Sequence, residues 1–144
     1  MNLNFTIFYT DDDEDDLILF EEAASTLKSV RVETYNHADK LLHAITNPPP
    51  TPQIIFLDLN MPGKNGFEVL QELKESQEYR DIPIVIYSTS SEQNSIAKCK
   101  ELGANLYIVK PFSLEGITKS IEHALAINWQ VFKPSLNDFV YKKN

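Results

Sequence analysis

The 144-residue chain is poor in cysteine and in long apolar segments. A single cysteine, Cys99, excludes an internal disulfide, and its helical spacing from Ile96 and Leu102 predicts a buried, unreactive thiol. No apolar run approaches the roughly 20 residues that a membrane-spanning helix needs. The first residues also lack the basic and apolar regions of a secretory leader. We therefore expect a protein of a reducing compartment, with no membrane segment and with the cytoplasm as its location.

Basic residues are scarce as well. The chain has 13 Lys and Arg against 21 Asp and Glu, which gives a formal net charge of -8. Such a charge disfavours binding to a phosphate backbone, and no Lys/Arg-rich run offers a local exception. We therefore expect no direct binding of nucleic acid.

Five short runs rich in Val, Ile, Phe and Tyr predict strands. They are FTIFYT at 5–10, VRVETY at 30–35, QIIFLD at 53–58, PIVIYS at 83–88 and NLYIVK at 105–110. Most are nearly continuous in apolar residues, which is typical of strands buried on both faces. The second run alternates with polar residues and therefore predicts an edge strand.

Helical periodicity fills the intervals between these runs. The signals are a stripe of Leu17, Phe20, Ala24 and Leu27, an Asn36 cap before Leu41 and Ile45, Phe67 and Leu70 after Asn65, a helix over 91–102 ending at Gly103, and a Ser113 cap. Strand and helix alternating five times predict an α/β fold, a doubly wound five-stranded parallel sheet with helices on both faces.

The length suits one domain, which we assign to residues 1–127. Residues 128–144 form a short tail with the aromatic residues Trp129, Phe132, Phe139 and Tyr141, and we expect no output domain. The favoured interpretation is that the tail packs against its own domain. Docking of the tail on a partner or on a second copy is the alternative.

Polar residues stand where the predicted strands end. Asp11 and Asp12 follow the first strand, Asp58 ends the third, Ser88 the fourth and Lys110 the fifth. In an open parallel sheet these ends meet where ligands bind. Three carboxylates there would attract a hard cation such as Mg²⁺, and with it a phosphate. The central Asp58 is the candidate nucleophile toward a phosphoryl group, with an ammonium and a hydroxyl to stabilise the transferred charge.

The acidic run from Asp11 to Asp16 contains more carboxylates than this site needs. Glu14, Asp15 and Asp16 fall in the first turn of a helix, where negative charge complements the helix dipole. We assign these three to capping and solvation. Asp13 remains open between an N-cap and the edge of the site.

Four ordered segments together resemble the receiver domain of two-component response regulators. They are YTDDDEDD, IIFLDLNMPGKNGFEVL, IPIVIYSTSS and GANLYIVKPF, and the resemblance covers about residues 4–127. It implies a flavodoxin-like strand order 2-1-3-4-5. It also implies a single-domain response regulator that assists its own aspartyl phosphorylation and dephosphorylation rather than an enzyme.

The resemblance implies a role for each site residue. Asp58 would accept a phosphoryl group from a sensor histidine kinase or a histidine phosphotransfer protein. The cofactor would be Mg²⁺, bound by Asp12, by Asp58, by the backbone carbonyl of Asn60 and, through water, by Asp11.

The remaining implied roles concern the switch. Lys110 would pair with the phosphoryl oxygens, and its peptide bond to Pro111 would be cis. Ser88 would move to hydrogen-bond the phosphoryl group while Tyr107 turns inward. A downstream effector would read the surface of the fourth helix, fifth strand and fifth helix, through which a homodimer could also form.

Three alternatives remain open. The chain could be an intermediate carrier in a phosphorelay, or an interaction module that works without phosphorylation. A hydrolase with an aspartyl nucleophile is weakened by Asn60, which stands where a second carboxylate would serve as acid and base. One departure from the family concerns Tyr9 and Thr10, which replace the usual aliphatic pair and bring the packing beneath the site into question.

Overall fold

The computed structural model describes residues 5–133 and 136–142. The strands are β1 (Phe5–Thr10), β2 (Val30–Tyr35), β3 (Ile54–Leu57), β4 (Ile84–Ser88), β5 (Leu106–Val109) and β6 (Val140–Tyr141). The helices are α1 (Glu14–Ala24), α2 (Ala38–Ile45), α3 (Gly66–Glu75), α4 (Gln93–Glu101), α5 (Leu114–Ala126) and α6 (Leu136–Phe139). Across the described ranges, none of these helices combines the length and the apolar character needed to cross a bilayer.

All strands form one parallel sheet in the order β2-β1-β3-β4-β5-β6. The expected order 2-1-3-4-5 is therefore confirmed, but the sheet has one strand more than the five predicted. The additional strand is β6, which places Val140 opposite Tyr107 and Tyr141 opposite Ile108. Its two residues are too few to show the period-two pattern by which strands are predicted.

The sheet separates two apolar cores. The first core contains Phe8, Leu57 and Tyr107 together with side chains of α2, α3 and α4. The second contains Tyr9 and Phe56 together with side chains of α1 and α5. Successive strand residues point to opposite faces, so strands covered on both faces need continuous apolar runs. The strand β2 lies at an edge and is mostly half-buried, as its alternating sequence predicts.

Several helix starts follow local sequence signals. Asp13 is the N-cap of α1, which resolves its open assignment, and Ser113 caps α5 as predicted. The expected Asn36 cap is wrong, because α2 begins one residue later and the His37 Nδ1 accepts the Asp39 N–H at 3.2 Å. The Asn36 side chain instead accepts a hydrogen bond from the Lys40 ammonium at 2.8 Å.

The described part of the tail packs against the domain, as the favoured interpretation expects. Trp129 and Phe132 contact the second core, and the ring of Phe139 is 1% exposed in the first core. Cys99 is also fully buried in the first core, and burial raises the pKa of its thiol to about 12. The predicted burial of Cys99 is thus confirmed, and a raised pKa disfavours the reactive thiolate.

Candidate functional site

Three charged residues from different strand ends meet in a buried cluster. The Lys110 Nζ lies 2.6 Å from an Asp11 carboxylate oxygen and 3.5 Å from an Asp58 oxygen. Asp11 is 1% exposed and Asp58 is 5% exposed. The convergence that chain order predicts is therefore present for these three side chains.

The backbone ladder of the sheet determines this meeting point. The N–H of Asp11 donates to the Tyr35 carbonyl at 3.1 Å, and the N–H of Asp58 donates to the Thr10 carbonyl at 3.0 Å. The N–H of Lys110 donates to the Ser88 carbonyl at 2.8 Å. Each site residue is thus the first beyond a parallel strand and is still held in register with its neighbour.

A close backbone approach supports the loop after Asp58. Gly66 begins α3 against the turn, and a Cβ there would lie 2.3 Å from the Asp58 carbonyl oxygen. Its N–H donates to the Leu59 carbonyl at 3.0 Å. Only glycine fits this contact without a shift of the backbone that carries Asp58.

The site can hold a hard cation. Carboxylate oxygens of Asp11, Asp12 and Asp58 lie within 4.8 Å of one another. Asp12 is exposed and, with Asn60, lines an open depression of about 530 Å³. An all-oxygen donor set with an open side suits Mg²⁺, which retains several waters and pairs with phosphate oxygens. The residues present therefore fit the expected cofactor.

The site raises the pKa of both Lys110 and Asp58, but for different reasons. Burial alone would lower the pKa of Lys110, but its hydrogen bonds to Asp11 and Asp16 and the charge of Asp58 raise that pKa above its ordinary value. Burial raises the pKa of Asp58 to about 7, against the opposing effect of Lys110 and with the Asp11 charge adding to it. In the absence of a metal ion, Lys110 is therefore cationic, while Asp58 ionises reluctantly.

Asp16 belongs to the charged cluster, so its assignment to capping and solvation alone is wrong. Its Oδ2 lies 2.8 Å from the Lys110 Nζ, and the side chain is only 30% exposed. Asp16 stands three residues after the Asp13 N-cap, where a carboxylate often serves the helix start, so the sequence alone does not distinguish a contact with Lys110 from capping.

Tyr9 is a second contributor that sequence reasoning does not identify. Its hydroxyl donates to an Asp11 carboxylate oxygen, and its ring packs against Phe20 with centroids 4.4 Å apart. Burial and the neighbouring Asp11 charge raise the pKa of Tyr9, so the phenol keeps its proton and remains a donor. The adjacent Thr10 hydroxyl is buried and has no hydrogen-bond partner in the described part of the chain.

Ser88 and Tyr107 share the turn that follows β4. The Ser88 hydroxyl accepts the Ser90 N–H at 3.1 Å, and the Tyr107 hydroxyl donates to the Ser90 carbonyl at 2.7 Å. Both residues are 0% exposed. Tyr107 is therefore already inward in this structure, and the expected movement of Ser88 and Tyr107 on phosphorylation stays a prediction.

The peptide bond before Pro111 is trans, and the expectation of a cis bond is wrong. In the ranges that the structure describes, the cis bonds are Pro48–Pro49 and Pro49–Pro50. A trans bond is favoured before proline by about 0.5–1 kcal/mol. The long Lys110 side chain reaches the carboxylates from a trans backbone.

The raised pKa of Asp58 predicts a pH-dependent cost to folding. An unfolded Asp titrates near 3.9, so the folded chain binds more protons between about pH 4 and 7, and stability falls as pH rises through that window. We expect Asp58→Asn to exceed wild type in free energy of unfolding by roughly 2 kcal/mol or more at pH 8 without metal, because about 1.36 kcal/mol corresponds to each pKa unit. At pH 4 the difference should nearly vanish.

Urea unfolding at both pH values with a chelator measures this difference. Substitution of the exposed carboxylate Glu101 by Gln serves as the control and should leave stability nearly unchanged at both pH values. Equal stabilities of wild type and Asp58→Asn at pH 8 would contradict the argument.

Comparisons with known proteins agree with this geometry. The family model described as the response regulator receiver domain matches residues 7–122. Response regulator Rcp1 of Synechocystis is 37% identical over 73 residues, which are 51% of this chain and 50% of that protein. The chain thus spans about half the length of the curated relatives it matches.

Two solved structures resemble the whole fold. One, with 28% identity and a TM-score of 0.77, is the phosphorylated cyanobacterial phytochrome response regulator RcpA, and the match covers 91% of this chain and 97% of that one. The other is the Mn²⁺-bound form of Rcp1, with 25% identity, a TM-score of 0.75 and coverage of 91% and 99%. Together with the family match over residues 7–122, these likenesses show that the chain belongs to the response regulator receiver domain family.

Proposed function

We propose that Asp58 accepts a phosphoryl group from a histidine kinase or a histidine phosphotransfer protein, with Mg²⁺ as cofactor, and that this modification switches a surface read by an effector protein. The observation that carries the proposal is the position of Asp58. Its carboxyl group lies 3.5 Å from the Lys110 ammonium and within 4.8 Å of the carboxylates of Asp11 and Asp12. Two related structures, a phosphorylated RcpA and an Mn²⁺-bound Rcp1, support the same chemistry.

The transfer itself needs little covalent help from the protein. An ionised Asp58 oxygen forms a bond to phosphorus while the bond from phosphorus to the donor nitrogen breaks, and the electron pair leaves with the imidazole. Bound Mg²⁺ would neutralise charge on the phosphoryl oxygens and favour ionisation of Asp58. Lys110 would supply a second positive charge.

The hydrogen bonds that Asp11 already accepts indicate which carboxylate would bind Mg²⁺ directly and which would bind it through water. Asp11 accepts from the Tyr9 hydroxyl, from the Lys110 ammonium and from the Asp13 N–H at 3.0 Å. It therefore has little capacity left for a direct bond to the metal and would act through water. Asp12 is exposed beside the depression that it shares with Asn60, which supports a direct role for Asp12.

A relay carrier would use the same chemistry, and a module that works without phosphorylation would need none of it. The intact set of Asp12, Asp58, Ser88 and Lys110 favours the phosphoacceptor over such a module. Asn60 in place of a second carboxylate disfavours a hydrolase, because an amide cannot serve as general acid and base.

An apolar rim beside the site suits a docking partner. Phe112 lies two residues after Lys110 and is 95% exposed, and Ile18 lies two residues after Asp16 and is 58% exposed. The contact between Asp16 and Lys110 joins these two segments. Exposed apolar side chains at the rim of a polar site are typical of protein interfaces. We therefore assign this rim to the phosphodonor protein.

Incubation with Mg²⁺ and acetyl phosphate followed by intact-mass spectrometry tests the phosphoacceptor. We expect wild type to gain one phosphoryl group, and Asp58→Asn to gain none. Asp15→Asn, which removes an exposed neighbouring carboxylate, is the control and should behave as wild type. Absence of an Mg²⁺-dependent gain in the wild type, with Mg²⁺ binding shown separately, would instead favour the interaction module or a strict requirement for the chain's own kinase.

Asp16 should restrain Lys110 before phosphorylation. Its carboxylate shares the ammonium that the phosphoryl group would use, and it repels an incoming anion. We expect Asp16→Asn to accelerate phosphorylation by acetyl phosphate roughly threefold or more, since a tenfold change corresponds to about 1.36 kcal/mol. Asp15→Asn makes the same change in net charge one residue away, so equal rates in the two variants would contradict a specific role for Asp16.

The proposed docking rim predicts that a change at Phe112 slows transfer from a protein phosphodonor but not from acetyl phosphate. With a histidine kinase selected for transfer to the wild-type chain, Phe112→Ser should slow transfer about tenfold or more, because a buried aromatic anchor contributes over 1 kcal/mol to an interface. With acetyl phosphate the rate should be unchanged. Val131→Ser removes an exposed apolar side chain beyond the far end of α5 and should leave both rates unchanged. Equal slowing with both donors would place the defect in the site rather than in docking.

A further inference from the structure

The outer edge of β5 is covered by the chain's own residues 136–142, which we call the C-terminal clasp. Its strand β6 pairs with β5, and its Phe139 ring lies 6.4 Å from the Tyr107 ring between centroids. Two further contacts hold it on neighbouring helices. The Lys100 ammonium lies 5.3 Å from the Phe139 ring centroid, and His123 stacks on Tyr141 with centroids 4.2 Å apart.

The clasp packs directly against Tyr107 at the outer edge of β5. A side chain on an edge strand can rotate over the edge toward solvent, but here Val140 stands opposite Tyr107 and Phe139 is buried beside its ring. An outward Tyr107 would need the volume that Phe139 occupies. The close packing of protein interiors leaves no room for both.

The inward Tyr107 also supports the turn that orients Ser88. Its hydroxyl donates to the Ser90 carbonyl, while the Ser90 N–H donates to the Ser88 hydroxyl. Rotation of Tyr107 outward would release the Ser90 carbonyl and loosen the turn. The position of Tyr107 and the position of the Ser88 hydroxyl are therefore linked through one residue.

We propose that Phe139 is a positioning residue which, through the clasp, holds Tyr107 inward and thereby keeps Ser88 in the arrangement that receives a phosphoryl group. This inference rests on the proposed function for its consequence at Asp58, but not for the restraint on Tyr107. By linkage, a ligand that favours the same arrangement must in turn stabilise the clasp.

The restraint can be measured without phosphorylation. In protein labelled with 3-fluorotyrosine, with the Tyr107 resonance assigned by Tyr107→Phe, we expect one solvent-shielded resonance in wild type. In Phe139→Ala that resonance should broaden or split and acquire a solvent isotope shift, whereas Phe139→Leu should largely restore the wild-type signal. The Tyr9 resonance reports folding in every variant. An unchanged, shielded Tyr107 resonance in Phe139→Ala would overturn the inference.

The consequence at the site is measured with beryllofluoride, a phosphoryl mimic, in the presence of Mg²⁺. Suppose that the fraction of molecules with Tyr107 inward falls from nearly one to about one fifth in Phe139→Ala. The apparent dissociation constant for beryllofluoride then rises about fivefold. We expect that rise for Phe139→Ala, less than a twofold rise for Phe139→Leu and none for the exposed control Val131→Ala. An unchanged affinity in Phe139→Ala would overturn the link to Ser88.

The fluorine spectra and the beryllofluoride titration distinguish a failure of this inference from a failure of the proposed function. Absence of both beryllofluoride binding and phosphorylation in wild type would refute the proposed function, and the fluorine spectra would still decide whether the clasp restrains Tyr107. Normal phosphorylation in wild type together with unchanged spectra in Phe139→Ala would refute the clasp alone.

Discussion

The Lys110 ammonium among the carboxylates of Asp11, Asp16 and Asp58 is the interaction on which the site depends. Buried carboxylates repel one another, and two of these are almost fully covered. Without a cation between them, they would be protonated or the strand ends would separate. The parallel sheet brings these residues to one edge, and the lysine makes their proximity tolerable. The same carboxylates in turn raise the pKa of Lys110.

The same sheet creates a second constraint at β5. An edge strand exposes unpaired backbone groups that invite pairing with another chain. In this chain β6 pairs with that edge. Because Tyr107 lies on β5, the segment that contains β6 also packs against this proposed switch residue through Phe139. The proposed effector surface thus includes a segment of the chain's own tail, and the proposed restraint would couple occupancy of that edge to the position of Tyr107.

Most of the architecture is predictable because it follows from chain order and burial. Continuous apolar runs indicate strands covered on both faces, and parallel strands bring Asp11, Asp58 and Lys110 together at their carboxyl ends. Asp16 is harder to assign, because a carboxylate in the first turn of a helix has the same sequence signature whether it faces solvent or a lysine. The N-cap of α2 is His37 rather than the preceding Asn36, and cap propensity does not resolve a shift of one residue.

Two further features depend on contacts that no local pattern contains. The strand β6 has two residues, and only its pairing with β5 makes it a strand. Tyr9 lies at a position where an aliphatic residue would also satisfy the core. Its function as a donor to Asp11 follows from the tertiary position of that carboxylate rather than from the sequence around it.

The phenol of Tyr9 also bears on the proposed reaction. When Asp58 carries a phosphoryl group, Lys110 would turn toward its oxygens and away from Asp11. A buried carboxylate that loses its only donors pays a large desolvation cost. Asp11 would still accept from the Tyr9 hydroxyl and from the Asp13 N–H at 3.0 Å. If Lys110 turned away in the proposed reaction, these two donors would still hydrogen-bond the Asp11 carboxylate, so an aromatic residue at position 9 would support the proposed chemistry.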